Sequence, residues 1–332
     1  RTWDVLETEE NETQRLYWSK VSIFGRGDLK DEDCERAVLK FVEYGRLETA
    51  VEFIALYLHR KKSCFRPQLV VEVLEQIVKR THAEQVNWRS LTHEISELLD
   101  LLEESGEIEE DRLAQLEWYF LPLLQHHGRS PRILHKALAE DPEFFVDVLK
   151  WVYRAEEEEP SDPTEEQRIR ARLGFDLLYY WQRSPGVDED GSVNPEKLQT
   201  WIRHARALAH ANGRGKVGDH HIGQVLAHYP EGVDGAWPHE VLRDLLEELA
   251  NEEIENGIMI GIYNSRGVIR RSIGEGGVQE RAIAERYRNY ACILRDRWPR
   301  TARLMEKIAS QYESDARRED IEAEIEEDLW DY

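Results

Sequence analysis

The sequence is poor in cysteine and lacks the spacings that make cysteine structural. Cys34, Cys64 and Cys292 lie far apart and form no CxxC pair. A disulfide framework and a zinc knuckle both need paired cysteines, so neither is expected. Free thiols are typical of a reducing compartment, which favours a cytoplasmic protein. Cys292 lies among apolar residues in the middle of a predicted helix, and we expect it in the core.

Long apolar runs and a signal peptide are also absent. No apolar run approaches the roughly 18 residues of a membrane-spanning helix, so no membrane partner is expected. The chain begins with Arg1 rather than methionine, and we expect it to be a piece of a longer protein. The sequence contains no GxSxG motif of a serine hydrolase.

Positive charge is scarce. The chain has 44 Lys and Arg against 67 Asp and Glu, a net charge of −23. Such a surface repels duplex phosphates on average, so nucleic acid is not an expected partner, and an acidic mimic of nucleic acid is one interpretation. The acids occur in runs, which are usually solvated helix faces.

Helical periodicity dominates the rest of the sequence. Ala37, Val38, Phe41 and Val42 have the spacing of one helix face, and similar patterns follow along most of the chain. Short connections separate the predicted helices, and no fixed repeat period is present. The pattern predicts an all-α fold, either an irregular HEAT-like α-solenoid or a helical bundle of paired antiparallel helices.

An acidic, proline-containing segment predicts the domain division. Residues 156–163 contain four consecutive glutamates and two prolines. We therefore predict a helical array over 1–155, a linker over 156–163, and a C-terminal helical domain with glycine-rich loops over 164–332.

One segment allows two interpretations of secondary structure. Residues 257–273 fit a hairpin that turns at 264–267, but Glu252 to Asn256 leads into them without a break, which favours helix up to Tyr263. Gly257 and Gly261 are four residues apart, a spacing that lets another helix approach closely.

Asp219 and His220 form the first part of the candidate site. They belong to Asp219-His-His221, but adjacent helical residues point about 100° apart, so a zinc site on a helix is disfavoured. A loop site with a distant partner remains an alternative. The favoured interpretation is that Asp219 caps a helix and the histidines pack locally. No metal or cofactor is predicted.

The second part is a basic loop at 264–277. It contains Arg266, Arg270 and Arg271, and Gly276 and Gly277 lead into a helix whose free N–H groups suit an anion. The loop lacks the P-loop pattern. The structural alternative, that these arginines pair with the acidic helix over 247–255, is favoured.

Three groups of phrases resemble the C-terminal helical regions of large, mostly uncharacterised bacterial proteins: 116–124 with 141–146, 219–223 with 234–238, and 264–267 with 276–281 and 284–287. The resemblance spans roughly residues 110 to 320 and brings no known activity. It implies that the chain is the C-terminal part of a multidomain protein. By analogy, such regions serve as sensor or scaffold halves of signalling or antiviral-defence proteins.

These observations favour a non-catalytic function. We expect a helical scaffold or sensor module that binds a protein partner or other domains of the same polypeptide. The alternative is an enzyme, or a nucleotide- or phosphate-responsive domain, that uses the arginine loop 264–277.

Overall fold

A computed structural model describes residues 2–22, 29–60, 65–84, 88–126, 128–159, 161–267, 272 and 275–330. In those ranges the regular structure is helical, apart from an isolated bridge between Val187 and Val193. The all-α prediction is confirmed. None of the described helices combines the length and apolar character needed to cross a bilayer.

The α-helices are α1 (Thr2–Leu6), α2 (Asn11–Lys20), α3 (Asp31–Glu43), α4 (Leu47–Arg60), α5 (Pro67–Glu84), α6 (Thr92–Ser105), α7 (Glu110–His126), α8 (Arg132–Glu140), α9 (Pro142–Val152), α10 (Glu165–Tyr179), α11 (Pro195–Ala211), α12 (Gly215–Leu226), α13 (Glu240–Leu249), α14 (Glu252–Ser265), α15 (Val278–Leu294) and α16 (Pro299–Trp330). A short 3-10 helix, Trp88–Leu91, precedes α6.

The chain forms two compact units, Arg1–Leu134 and His135–Tyr332. The segment predicted as a linker, 156–163, belongs to the second unit. There the Glu156 N–H donates to the Gly213 carbonyl at 2.9 Å, so this end of the segment is attached to the turn before α12. The domain division at 156–163 stays a prediction.

The core of the first unit is built around α3 to α7. Aromatic rings connect successive helices: Trp18 meets Phe41 edge-on at 6.0 Å between centroids, and Phe41 meets Phe53 at 5.9 Å. Helices α4 and α6 pack together through their apolar faces, with Ile54 and Ile95 fully buried. Their polar faces therefore point away from this core.

A glycine-mediated crossing of α12 and α14 organises the second unit. A Cβ on Gly223 would collide with the Ile254 carbonyl, and one on Gly261 would lie 2.6 Å from the Gln224 carbonyl oxygen. The close crossing predicted at Gly257 and Gly261 is therefore confirmed. Helix up to Tyr263, predicted in preference to a hairpin, is also confirmed, and α14 continues to Ser265.

The expectation that Cys292 lies in the core is wrong. It lies on α15, as predicted, but its side chain is exposed. The apolar residues that bury α15 are offset from it on the helix, at Ala291 and Leu294. Cys34 is buried in α3, and Cys64 lies outside the described residues.

Candidate functional site

Asp219 lies inside α12 and not at its N-cap, so the predicted capping role is wrong. The helix begins four residues earlier, at Gly215. The buried carboxylate accepts hydrogen bonds from Arg206 Nε and Nη2 at 2.7 and 3.1 Å, and from Asn251 Nδ2 at 2.7 Å. Asp219 thereby ties α11 to the start of α14.

His220 is half-buried and His221 is fully buried beside it on α12. His221 Nε2 shares a hydrogen bond of 2.8 Å with the Tyr153 hydroxyl. Burial lowers the pKa of His220, and burial with the neighbouring His220 lowers the pKa of His221 to about 4. His221 is therefore neutral at physiological pH.

Arg266 pairs with a residue that the sequence did not indicate. Its guanidinium contacts the fully buried carboxylate of Glu280 on α15 and lies over the Tyr312 ring at 5.7 Å. The structural interpretation of the loop arginines correctly predicted an acidic partner for Arg266. It was wrong to place that partner in 247–255, because Glu280 lies on α15. Arg270 and Arg271 lie outside the described residues.

Gly276 and Gly277 precede α15. The carboxylate of Asp320 lies at this N-terminal end of the helix. The Gly277 N–H donates to Asp320 Oδ1 at 2.9 Å. A Cβ on Gly277 would collide with the Ala316 carbonyl of α16, and Gly276 has a φ of +57°, which favours glycine. The α15 N-terminus thus binds a carboxylate of α16 in the manner expected of an external anion.

The predicted residues therefore fall into two groups with separate partners. Asp219 and His220 belong to α12, whereas Arg266, Gly276 and Gly277 belong to the junction of α14, α15 and α16. In the described part of the chain, each charged member of these groups has an intramolecular partner. Their roles as ligand-binding residues stay predictions.

Sequence reasoning missed a basic cleft in the second unit. The cleft has a volume of about 540 Å³ between the end of α9, the segment after it and the first half of α10. Its lining contains five cationic side chains and one carboxylate, that of Glu158: Lys150, Arg154, Arg168, Arg170 and Arg214. In a chain of net charge −23, this local excess would attract anions.

The cationic side chains of the cleft differ in the hydrogen bonds and ion pairs that they form within the protein. Arg214 is held by hydrogen bonds to the Tyr153 carbonyl at 2.8 Å and the Asn212 carbonyl at 2.6 Å. Arg168 makes only a long exposed contact with Glu165 at 3.5 Å. Lys150 and Arg170 contact the Asp147 and Glu166 carboxylates at 2.9 and 3.5 Å, whereas Arg154 forms no ion pair among the described residues. Arg214 therefore shapes the cleft, while Arg154 and Arg168 are available to a ligand.

Helix α10 lines the cleft with its first half and also exposes several apolar side chains. Thr164 and Gln167 form a reciprocal capping box at its start. Beyond this start, four large side chains of α10 and its C-cap residue are each about half exposed: Ile169 at 54%, and, about two turns further on, Phe175 at 46%, Tyr179 at 48% and Tyr180 at 48%. We call these four residues the α10 face.

The rings of the α10 face are ordered against one another. Phe175 and Tyr179 stack with their centroids 6.1 Å apart, and Tyr180 meets Tyr179 edge-on at 4.9 Å. The opposite side of α10 is anchored by Leu177 and Leu178 in the core. The helix thus presents an ordered aromatic surface, and Arg168 lies about two turns before Phe175 on the same helix.

A local sequence signal for this site exists. Residues 168–172 contain three arginines and no acid, an uncommon composition in this chain. The exposure of Phe175 and Tyr180 had no such signal, since both fit the apolar pattern of the helix. Comparison with protein-family models, curated proteins and solved structures finds no match for this chain.

Proposed function

We propose that this chain is a non-catalytic scaffold or sensor module of a cytoplasmic bacterial signalling or defence protein, and that it binds a protein partner through the α10 face. Its helix pairs would form an irregular HEAT-like array that holds this surface. The observation that carries the proposal is the cluster of three exposed, mutually packed aromatic side chains at the end of α10, Phe175, Tyr179 and Tyr180. Single exposed apolar residues are common, whereas contiguous ones mark interaction sites.

The chemistry of the surface favours a protein partner. Tyrosine and arginine are enriched among the residues that contribute most to binding energy at protein interfaces. The α10 face supplies two tyrosines, and Arg168 borders it within the basic cleft. We infer that the partner places apolar side chains on the face and an acidic group in the cleft.

The basic cleft also supports the second candidate, a phosphate- or nucleotide-responsive domain. The specific observation is that five cationic side chains line about 540 Å³ of space, with Arg154 unpaired among the described residues and Arg168 in only a long contact with Glu165. We infer that a phosphate would bind in the cleft and not at the loop 264–277, because Arg266 of that loop already has Glu280 as its partner.

Site-specific crosslinking tests the protein-binding proposal. Benzoylphenylalanine at Tyr180 in the full chain, irradiated in cells of the source organism, is expected to give one defined protein adduct. The matched control carries the same group at Ile293, which is 54% exposed on α15.

The adduct at position 180 should disappear when Phe175 and Tyr179 are both changed to alanine. Because these side chains are half exposed, the double variant is expected to keep its melting temperature within a few degrees. Equal adducts at positions 180 and 293, or an adduct that survives the double substitution, would exclude the α10 face as the binding surface.

A further inference from the structure

Two helices of the first unit bring three metal-ligating side chains together. His59 lies near the end of α4, and His93 and Glu97 lie four residues apart on α6. His59 Nε2 is 3.1 Å and His93 Nε2 is 3.3 Å from the same oxygen, Glu97 Oε1. One potential ligand atom from each residue lies within 4.8 Å of the others.

These distances fit a tetrahedral metal ion. Zinc bonds to nitrogen and oxygen are about 2.0–2.2 Å long, which puts two tetrahedral ligands about 3.3 Å apart. The two nitrogen–oxygen separations already have nearly this length. The spacing of four residues between His93 and Glu97 is also the one that directs two helical side chains to one ion.

The surroundings attract cations. An open groove of about 840 Å³ borders the cluster and includes His59 and Glu97 in its lining. Its other charged lining residues are six carboxylates and one cation, Arg66, which is itself paired with Glu35. A groove lined by one sign of charge raises the local concentration of counter-ions.

We propose that His59, His93 and Glu97 bind a divalent transition metal ion, with Zn²⁺ as the best match. Two imidazoles and one carboxylate select zinc and related metals over Mg²⁺ and Ca²⁺, which prefer oxygen ligands. Both histidine side chains are 63% exposed. The fourth position therefore faces solvent and would hold water. The bound ion would connect α4 to α6.

Hydrogen bonding alone is the competing explanation of the cluster. A single carboxylate oxygen can accept from two imidazoles with no metal present. The two explanations differ in their response to added metal, because hydrogen bonds give no saturable Zn²⁺ binding. They also differ for Glu97→Gln, which keeps an acceptor oxygen but loses the charge that a metal ligand supplies.

Isothermal titration of the chelator-treated full chain with ZnCl₂ at pH 7.5 tests the site. We expect saturable binding at a site that His59→Ala, His93→Ala and Glu97→Gln each weaken by more than about tenfold. The control variants His204→Ala and Cys292→Ser, an exposed histidine and an exposed thiol of the second unit, should leave that site intact. Co²⁺ should give the visible absorption of a tetrahedral complex in wild type but not in His59→Ala.

The ligand variants are expected to fold, because the histidines are exposed and the alanine variants remove little packing. Their melting temperatures without metal should match wild type, and Zn²⁺ should raise only the wild-type value. Equal Zn²⁺ affinity in wild type and the His59→Ala/His93→Ala double variant, or no saturable wild-type binding, would overturn the proposal.

Discussion

Buried charged side chains in the second unit have specific partners. Arg243 is fully buried, donates to both carboxylate oxygens of Asp234 at 2.6 and 2.7 Å, and lies over the Trp298 ring at 4.7 Å. This pairing holds the loop 234–238 and keeps the pKa of Asp234 at about 2, mainly through the hydrogen bonds from Arg243.

Removing Arg266 should destabilise the protein, although the sequence places it in a candidate anion site. Arg266→Ala leaves the buried Glu280 carboxylate without this guanidinium, and a broken buried pair costs about 3–5 kcal/mol. Denaturant unfolding should show a loss of about this size, and Arg266→Met/Glu280→Leu should recover part of it. Arg303→Ala, an exposed arginine on α16, is the control. Unchanged stability in Arg266→Ala would contradict the structural role.

The helical character of single elements was predictable, but the start of α12 and the exposed faces of helices were not. Apolar spacing and caps are local, so the helices around 252–265 and 278–294 could be predicted from sequence. The outward face of α10 could not, because Phe175 and Tyr180 continue an apolar pattern that normally faces a core. Which face of a helix is buried depends on helices that are distant in the sequence.

The crossing of α12 and α14 should not tolerate a side chain at Gly257. A Cβ there would collide with the His220 carbonyl and lie 2.9 Å from the Gly223 Cα. Backbone atoms cannot move aside as a side chain can, so we expect Gly257→Ala to lower the free energy of unfolding by about 3 kcal/mol. Asn256→Ala, exposed on the same helix, should cost far less. Equal effects would show that the helices do not pack this closely.

At the scale of the whole molecule, the interactions that build the sites are long-range. The Gly277–Asp320 contact and the cluster of His59 with His93 join residues 43 and 34 positions apart. No local motif encodes such pairs, so the sequence could indicate the glycines and arginines of the loop 264–277 but not their partners. The basic cleft also depends on the arrangement of α9 and α10.

Stability should decrease as the pH falls from about 6.5 to 4. Burial is the main cause that lowers the pKa of both His135 and His221 to about 4, whereas an unfolded histidine has a pKa of about 6.5. Within this window the unfolded chain binds protons that the folded chain does not, which removes up to about 3 kcal/mol per histidine.

Urea unfolding of the second unit, measured at intervals between pH 7 and 4.5, checks this dependence. His221→Gln should reduce its slope, since one of the four histidines of this unit whose pKa is lowered by burial no longer titrates. His204→Ala, which removes an exposed histidine, should leave the slope unchanged. A free energy of unfolding that is flat over this pH range would contradict neutral, buried histidines.

Peptide selection shows whether the α10 face and the basic cleft together bind a protein partner. Because the chain carries a net charge of −23, general electrostatics favours basic peptides. Binding through the α10 face and the basic cleft predicts the opposite. In an array of peptides that vary in charge and apolar content, acidic peptides with aromatic or aliphatic residues should bind best. Lys150→Gln/Arg154→Gln/Arg168→Gln and Phe175→Ala/Tyr179→Ala should each abolish this preference. Preference for basic peptides, or an acidic preference unchanged in both variants, would contradict the claim.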